Sequence, residues 1–157
     1  MMAATAAAAT AAATAATAAT AAGPTLTGID TNVVLRAILG DDPVQSTMAA
    51  RLFRELTPTH RGFITQLTLA ETYWVLNRAK RLARQTCLAV IRGLIETEVL
   101  EFEDGETVVR ALTLAEDGAD FADALIHGTM ELFGTSETVT FDRDAAERLG
   151  WRLLADS

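Results

Sequence analysis

Short apolar runs alternate with amphipathic stretches from Thr25 to the end of the chain. Apolar residues that recur every three to four positions predict helices, and short apolar runs between turn signals predict strands. The pattern predicts strands at residues 25–30, 63–65, 99–102, 138–141 and 151–154. It predicts helices at residues 32–39, 44–56, 67–78, 85–96, 106–115, 120–133 and 144–149. Strands separated by helices favour parallel pairing, so we expect an α/β fold with a central, mostly parallel β-sheet flanked by α-helices.

The first 22 residues have a different composition, because they contain only Met, Ala and Thr. A membrane span needs larger apolar side chains, and a secretory signal needs basic residues near its start. Alanine favours helix, but methyl groups alone cannot build a core. Gly23-Pro24 is a typical boundary signal. We therefore expect residues 1–24 to be a low-complexity extension, disordered or a frayed helix, and residues 25–157 to form one domain.

Charge and cysteine content limit the possible functions of this 157-residue chain. Its formal net charge is −8, with 21 acidic and 13 basic residues. Such a chain is a poor match for passive nucleic-acid binding, which depends on neutralising phosphates. If it acts on RNA, its negative charge must be offset locally, and a divalent metal would do so. Cys87 is the only cysteine, which excludes a disulfide within the chain and suits the reducing cytoplasm.

Two aspartates directly follow predicted strands. Asp30 ends the first strand, and Asp142 follows the strand at residues 138–141. In open parallel sheets, binding sites form beyond the carboxyl ends of the strands. Each aspartate also suits the N-cap of the helix that follows it. The two interpretations remain open for both residues.

Three further acids lie in predicted helices. Glu71 falls on the apolar face that we assign to the helix at 67–78, where Leu67, Ala70, Trp74 and Val75 recur at helical spacing. Its alternative is a position at the edge of this face, where the carboxylate reaches water. Asp120 and Asp123 are three residues apart, which places them on neighbouring turns of one helix side. They also fit an N-cap and a first-turn acid. We interpret Asp144 as a solvated first-turn acid.

The acids are more informative as a set than one by one. Carboxylates brought together repel each other, and their pKa values rise unless a cation is present. Oxygen-only ligands favour Mg²⁺ or Mn²⁺ over zinc. A metal-polarised water can attack a phosphodiester. The set therefore predicts a metal-dependent site that neutralises its own charge and binds phosphate.

Four segments that carry these acids resemble, in order, the four sequence blocks of PIN domains. They are Ile29-Asp-Thr-Asn-Val-Val-Leu35, Leu69-Ala-Glu71, Asp120-Phe-Ala-Asp-Ala-Leu125 and Val139-Thr-Phe-Asp-Arg-Asp144. The resemblance covers about residues 26–154 and is nearest to the bacterial VapC-type toxins of toxin–antitoxin pairs. The Ala/Thr tract departs from this pattern, because such toxins usually begin almost at the first strand.

The resemblance implies a role for each matching residue. It makes Asp30, Glu71, Asp123 and Asp142 the catalytic, metal-binding acids, with Asp120 as an accessory metal ligand and Asn32 and Thr140 as residues that orient ligands or phosphate. It implies an endoribonuclease that depends on Mg²⁺ or Mn²⁺. It also implies a homodimer that a cognate antitoxin inhibits by inserting a segment near the acidic groove. Separately, we expect a cytoplasmic protein without membrane association.

Other residues carry weaker signals. Arg78, Lys80, Arg81 and Arg84 form a basic run between two predicted helices. We interpret the run as a solvated helix junction. The alternative is that it guides an RNA backbone or contacts an acidic antitoxin. His127 lies four residues after Asp123, where it could assist a phosphate or pair with that acid, but we favour an ordinary core or surface histidine. Tyr73 and Trp74 are interpreted as core residues rather than base-stacking platforms.

Two other functions remain as alternatives. One is a non-catalytic binding module that keeps the fold without cleaving. The other is a haloacid-dehalogenase-like phosphohydrolase with Asp30 as its nucleophile. That family's usual second aspartate is Asn32 here, and the only lysine, Lys80, lies in the basic run. The sequence lacks a glycine-rich phosphate loop and the Gly-x-Ser-x-Gly turn of serine hydrolases.

Overall fold

The computed structural model describes residues 23–154, so the extension predicted at residues 1–24 lies outside the described residues except for Gly23 and Pro24. The strands are β1 (Thr25–Gly28), β2 (His60–Ile64), β3 (Leu100–Phe102), β4 (Val139–Thr140) and β5 (Arg152–Leu153). The helices are α1 (Thr31–Leu39), α2 (Pro43–Glu55), α3 (Gln66–Trp74), α4 (Arg84–Ile95), α5 (Gly105–Glu116), α6 (Phe121–Leu132) and α7 (Arg143–Leu149). A π-helical turn, Val75–Ala79, connects α3 to α4. Within residues 23–154, no helix combines the length and the apolar character that a membrane span needs.

The strands pair in parallel throughout the described part of the chain. β1, β2 and β3 form one sheet in that order, and β4 pairs with β5 in a second. Helices connect each parallel pair, as a parallel connection requires. Gly28 pairs with Phe63, and Ile64 pairs with Phe102, so the carboxyl ends of β1, β2 and β3 lie at one edge. The predicted α/β fold, with parallel strands flanked by helices, is confirmed.

The hydrophobic core joins the sheet to the helices that carry the candidate site. Its fully buried side chains include Val34, Ile64, Leu69, Leu76, Ile91, Val108 and Phe121. The rings of Tyr73 on α3 and Phe121 on α6 pack with their centroids 5.4 Å apart. This contact fixes the end of α3 against the start of α6, where Asp120 and Asp123 lie.

Strand β2 begins three residues earlier than the pattern predicts, at His60 instead of Phe63. The sequence pattern suggests a boundary at Gly62, yet this glycine lies inside the strand. A Cβ added there would lie 2.6 Å from Cδ1 of Ile29 and 2.7 Å from Cδ2 of Leu100. Glycine is present because neighbouring side chains cross this point of the strand, so it does not mark a turn.

The predicted apolar face of α3 is wrong in two positions. Leu67 is 77% exposed and Trp74 is 59% exposed. The buried face instead runs through Leu69, Tyr73 and Leu76. Nearly every turn of this segment offers apolar residues on more than one side, so helical spacing alone fits both faces. As a result, Glu71 lies on the exposed side of α3 and Trp74 faces solvent.

Candidate active site

A cavity of about 410 Å³ lies where α3, α6 and α7 approach each other. Four aspartates surround it, and three of them are predicted metal ligands. Its lining consists of Tyr73, Trp74, Asn77, Arg78, Asp120, Ala122, Asp123, Asp142 and Asp144. We call this space the acidic cavity. It brings together carboxylates from two segments that are about twenty residues apart in the chain.

Asp120 and Asp123 enter the acidic cavity from the start of α6. Asp120 is the N-cap of this helix, and its Oδ1 accepts hydrogen bonds from the backbone N–H of Ala122 at 2.9 Å and of Asp123 at 3.3 Å. Asp123 lies in the first turn, where a negative charge interacts favourably with the helix dipole. The cap interpretation of Asp120 is therefore correct, and it places the carboxylate at the cavity.

Asp142 enters from the loop between β4 and α7. Its Oδ1 accepts hydrogen bonds from the backbone N–H of Asp144 at 2.8 Å and of Ala145 at 3.3 Å, so it is the N-cap of α7. Its own backbone N–H donates to Oγ1 of Thr140 at 2.9 Å. Thr140 thereby fixes the backbone that carries Asp142. Asp144 also lines the cavity, with one oxygen paired to Nε of Arg148 at 2.9 Å.

The electrostatics of the acidic cavity centre on Asp123, which is half-buried. Burial raises the pKa of the Asp123 carboxyl, and the negative charges of Asp120, Asp142 and Asp144 raise it further. Burial disfavours the charged form because the protein solvates a carboxylate less well than water does. A divalent cation in the cavity would oppose both effects.

Asp30 and Glu71 do not belong to the lining of the acidic cavity. Asp30 is the N-cap of α1 and accepts a hydrogen bond from the backbone N–H of Val33 at 3.0 Å. The hydroxyl of Thr31 donates to Oε2 of Glu71 at 2.5 Å. Thr31 directly follows Asp30, so this hydrogen bond connects the start of α1 to helix α3. Asn32 lines a different, apolar groove between α1 and α2.

The donors of the acidic cavity suit a hard divalent cation by their chemistry, since all are carboxylate oxygens. The carboxylates lie too far apart to bind a metal ion with protein ligands alone. Among residues 23–154, no three His, Cys, Asp or Glu side chains are close enough together to hold one metal ion. Mg²⁺ keeps several waters and needs only one or two direct carboxylates, so the cavity fits a hydrated ion.

Comparison with protein families decides how this arrangement is classified. The model of the PIN domain matches residues 29–151, most of the chain. The chain belongs to the PIN domain family. Members of this family are generally metal-dependent nucleases, and this agrees with the carboxylate chemistry of the cavity. Among curated proteins, the comparison finds no match.

Sequence reasoning missed several features of this PIN domain. Trp74, Asn77 and Arg78 line the acidic cavity, although Trp74 was interpreted as a core residue. Their spacing of three and four residues places them on one helix side, which was the available signal. The interpretation of Tyr73 as a core residue is confirmed, since it is 4% exposed.

The predicted basic run does not act as one unit in the PIN domain. Lys80 pairs with Asp41 at 3.0 Å. The guanidinium of Arg84 donates to the backbone carbonyls of Ala115 and Ala119 and so fastens the end of α5. Only Arg78 of the four lines the acidic cavity.

His127 has partners other than the acids of the cavity. Its Nδ1 accepts a hydrogen bond from the indole N–H of Trp151 at 3.1 Å. Its Nε2 lies 3.5 Å from Oε1 of Glu131. The histidine therefore links α6 to the residue before β5, which agrees with a structural role.

Proposed function

We propose that this protein is a Mg²⁺- or Mn²⁺-dependent endoribonuclease of the VapC toxin type. The observation that carries the proposal is the meeting of Asp120, Asp123, Asp142 and Asp144 around one cavity of a PIN domain. The raised pKa of Asp123 supports a cation there, since the carboxyl is destabilised in its charged form without one. The family match favours this function over the dehalogenase-like alternative.

In this proposal Asp123 and Asp142 hold the metal directly, with Asp120 as the accessory ligand. Asp30, at the start of α1, and Glu71, on α3, complete the catalytic set, with Thr31 holding the Glu71 carboxylate. Bound Mg²⁺ or Mn²⁺ would neutralise phosphate charge and activate water for attack on the phosphodiester. Thr140 orients the site through the backbone of Asp142, whereas Asn32 lines the groove between α1 and α2.

The proposal is tested by RNA cleavage with the full chain. The wild type and the Asp142→Asn variant are incubated with total RNA and Mg²⁺ or Mn²⁺, with EDTA as the metal-free reference. Asparagine keeps an N-cap acceptor and removes the charge. We expect the wild type to cleave, and EDTA and Asp142→Asn to abolish cleavage.

Asp42→Asn is the matched control for this experiment. Asp42 is the N-cap of α2 and accepts from the backbone N–H of Val44 and Gln45 at 3.0 and 2.8 Å, in the same manner as Asp142. It does not line the acidic cavity. Cleavage by Asp42→Asn should equal that of the wild type. A folded wild type that cleaves no RNA with either metal would refute the proposal.

The non-catalytic alternative is favoured by one observation, the spacing of the carboxylates described above. Titration calorimetry with Mn²⁺ separates the two functions. A nuclease should bind Mn²⁺ in the wild type and more weakly in Asp142→Asn. A module without catalysis would bind no Mn²⁺, or would bind it equally well in both proteins.

The toxin role, the antitoxin and the homodimer belong to the same proposal. An apolar groove between α3 and α6, lined in part by the exposed residues Leu67, Ile126 and Met130, supports a dimer through this face. The cognate antitoxin would insert a segment near the acidic cavity and block RNA binding.

Two experiments test these roles. Expression in a bacterial host should arrest growth for the wild type but not for Asp142→Asn, and light scattering should give twice the chain mass. The RNA substrate and the single cysteine support action in the cytoplasm.

A further inference from the structure

Trp74 and Tyr73 are neighbours in the chain with opposite surroundings. Tyr73 is 4% exposed and packs on Phe121, whereas Trp74 is 59% exposed. Leaving a large aromatic side chain in water gives up the free energy that its burial would contribute. Trp74 therefore adds little to the core, although it belongs to a helix whose other side is well buried.

The exposed indole lies at the acidic cavity. Trp74 is the last residue of α3 and is followed at once by the π-helical turn Val75–Ala79. Such turns are rare and often occur at functional sites. The turn carries Asn77 and Arg78, which line the same cavity as Trp74. One side of this segment thus presents an aromatic face, an amide and a cation beside four carboxylates.

Arg78 is available to bind an anion. No ion pair joins it to an acid within residues 23–154, although four aspartates line the same cavity. Asn77 is held in place, because its amide donates to the carbonyl of Leu82 at 3.3 Å. An arginine beside an exposed aromatic ring is the combination that binds single-stranded nucleic acid, with the ring stacking on a base and the guanidinium contacting phosphate.

We propose that Trp74 stacks on an unpaired base of the RNA strand whose phosphodiester lies at Asp123 and Asp142, while Arg78 contacts a neighbouring phosphate. This inference rests on the proposed function and adds two residues that contact the RNA. A base inside an A-form duplex is stacked on its neighbours and does not offer its face to the indole. Stacking on Trp74 therefore requires an unpaired base, so a duplex of the same sequence serves as the negative control.

Fluorescence of Trp74 tests the stacking directly. The chain has two tryptophans, so Trp151→Phe leaves Trp74 as the only one. Stopped-flow mixing with a single-stranded RNA oligonucleotide and Mg²⁺ records the emission before cleavage. We expect quenching by this RNA, and none by a strand of equal length that lacks its bases or by the same sequence in a duplex.

Cleavage kinetics provide the second measurement. Trp74→Ala should lower kcat/KM on the single strand by about 10- to 100-fold, mainly through KM, because one stacked base is lost. Trp74→Phe should recover most of this loss, since it keeps an aromatic face. Phe133→Ala is the control, because Phe133 is 79% exposed but does not line the acidic cavity. It should cleave like the wild type.

The outcomes separate this inference from the proposed function. Cleavage by Trp74→Ala at the wild-type kcat/KM, without quenching, would overturn the stacking and leave the nuclease intact. Equal quenching by the strand without bases would also overturn it. A wild type that cleaves nothing but is quenched only by RNA with bases would refute the nuclease and leave Trp74 as an RNA-binding residue. The quenching experiment uses Trp151→Phe, so it tests the stacking of Trp74 even if Trp74→Ala fails to fold.

Discussion

The hydroxyl of Thr31 donates a 2.5 Å hydrogen bond to Oε2 of Glu71. Thr31 is buried at the start of α1, directly after Asp30, and Glu71 lies on the exposed side of α3. The bond joins two acidic segments that are about forty residues apart in the chain. It is the only hydrogen bond in the described residues that ties one of the five predicted metal acids to a side chain on another helix.

Replacing Thr31 by valine should free Glu71 with little change of volume. Hydrogen bonds to charged groups contribute about 1.5–3 kcal/mol when buried, and the exposure of Glu71 reduces this, so we expect a loss of about 1 kcal/mol in the free energy of unfolding. RNA cleavage should fall as well, because the Glu71 carboxylate is no longer held. Urea unfolding and cleavage rates measure the two effects. Thr31→Ser keeps the hydroxyl and should behave like the wild type, and a fully active Thr31→Val would contradict a role in positioning.

Asp120 combines a structural and a catalytic role that two substitutions separate. Asp120→Asn keeps an N-cap acceptor for α6 but removes one negative charge from the acidic cavity. We expect it to fold like the wild type and to cleave RNA more slowly. Asp120→Ala also removes the cap and should lose about 1 kcal/mol of unfolding free energy. Thermal unfolding and cleavage assays compare the three proteins. Equal stability of the Asn and Ala variants would argue against the capping role.

The order of helices and strands could be predicted because it depends on local periodicity. Parallel pairing followed from the alternation of the two element types. The boundary of β2 was wrong because Gly62 lies inside the strand, where the side chains of Ile29 and Leu100 from other elements pack closely against it. No local pattern reports such long-range packing.

The part of the candidate site formed by residues close together in the chain could be predicted. The spacing of Asp120 and Asp123 placed both on one helix side, and the position of Asp142 after a strand placed it at the sheet edge. Helical spacing groups Trp74 with Asn77 and Arg78, but it does not show that this side is exposed, because α3 has apolar residues on two sides and only tertiary packing selects the buried one. Asn32, from the same sequence block as Asp30, lines the groove between α1 and α2 instead of the acidic cavity.

Gly128 allows α6 to approach α5 closely. A Cβ at this position would overlap Cγ2 of Thr107, which is buried on α5. Gly128→Ala should therefore lower the free energy of unfolding by about 1–3 kcal/mol, as overpacked cores do. It should also reduce cleavage, because α6 carries Asp123. Gly93 in α4 has no atom within 4 Å of an added Cβ, so Gly93→Ala should stabilise by about 0.5–1 kcal/mol. Denaturant unfolding measures the free energy of unfolding of both variants. Equal stability of Gly128→Ala and Gly93→Ala would contradict a close approach of α5 and α6 at Gly128.

The raised pKa of Asp123 predicts how stability depends on pH in metal-free buffer. The native state holds the proton of Asp123 more tightly than the unfolded chain, whose aspartate titrates near the ordinary value of 3.8. Stability is therefore lost as the pH rises from that value through the raised native pKa, and the loss is complete above it.

Asp123→Asn removes this loss, because asparagine carries no charge at any pH. In EDTA, the variant should match the wild type below pH 3.8 and become more stable than it as the pH rises. Added Mn²⁺ should reverse the order at neutral pH, since a ligand at 100 times its Kd stabilises the wild type by about 2.7 kcal/mol. Chemical unfolding between about pH 3 and 8, with and without Mn²⁺, measures both effects. A difference between the two proteins that stays constant with pH would contradict the electrostatic origin, and a missing response to Mn²⁺ would contradict the metal site.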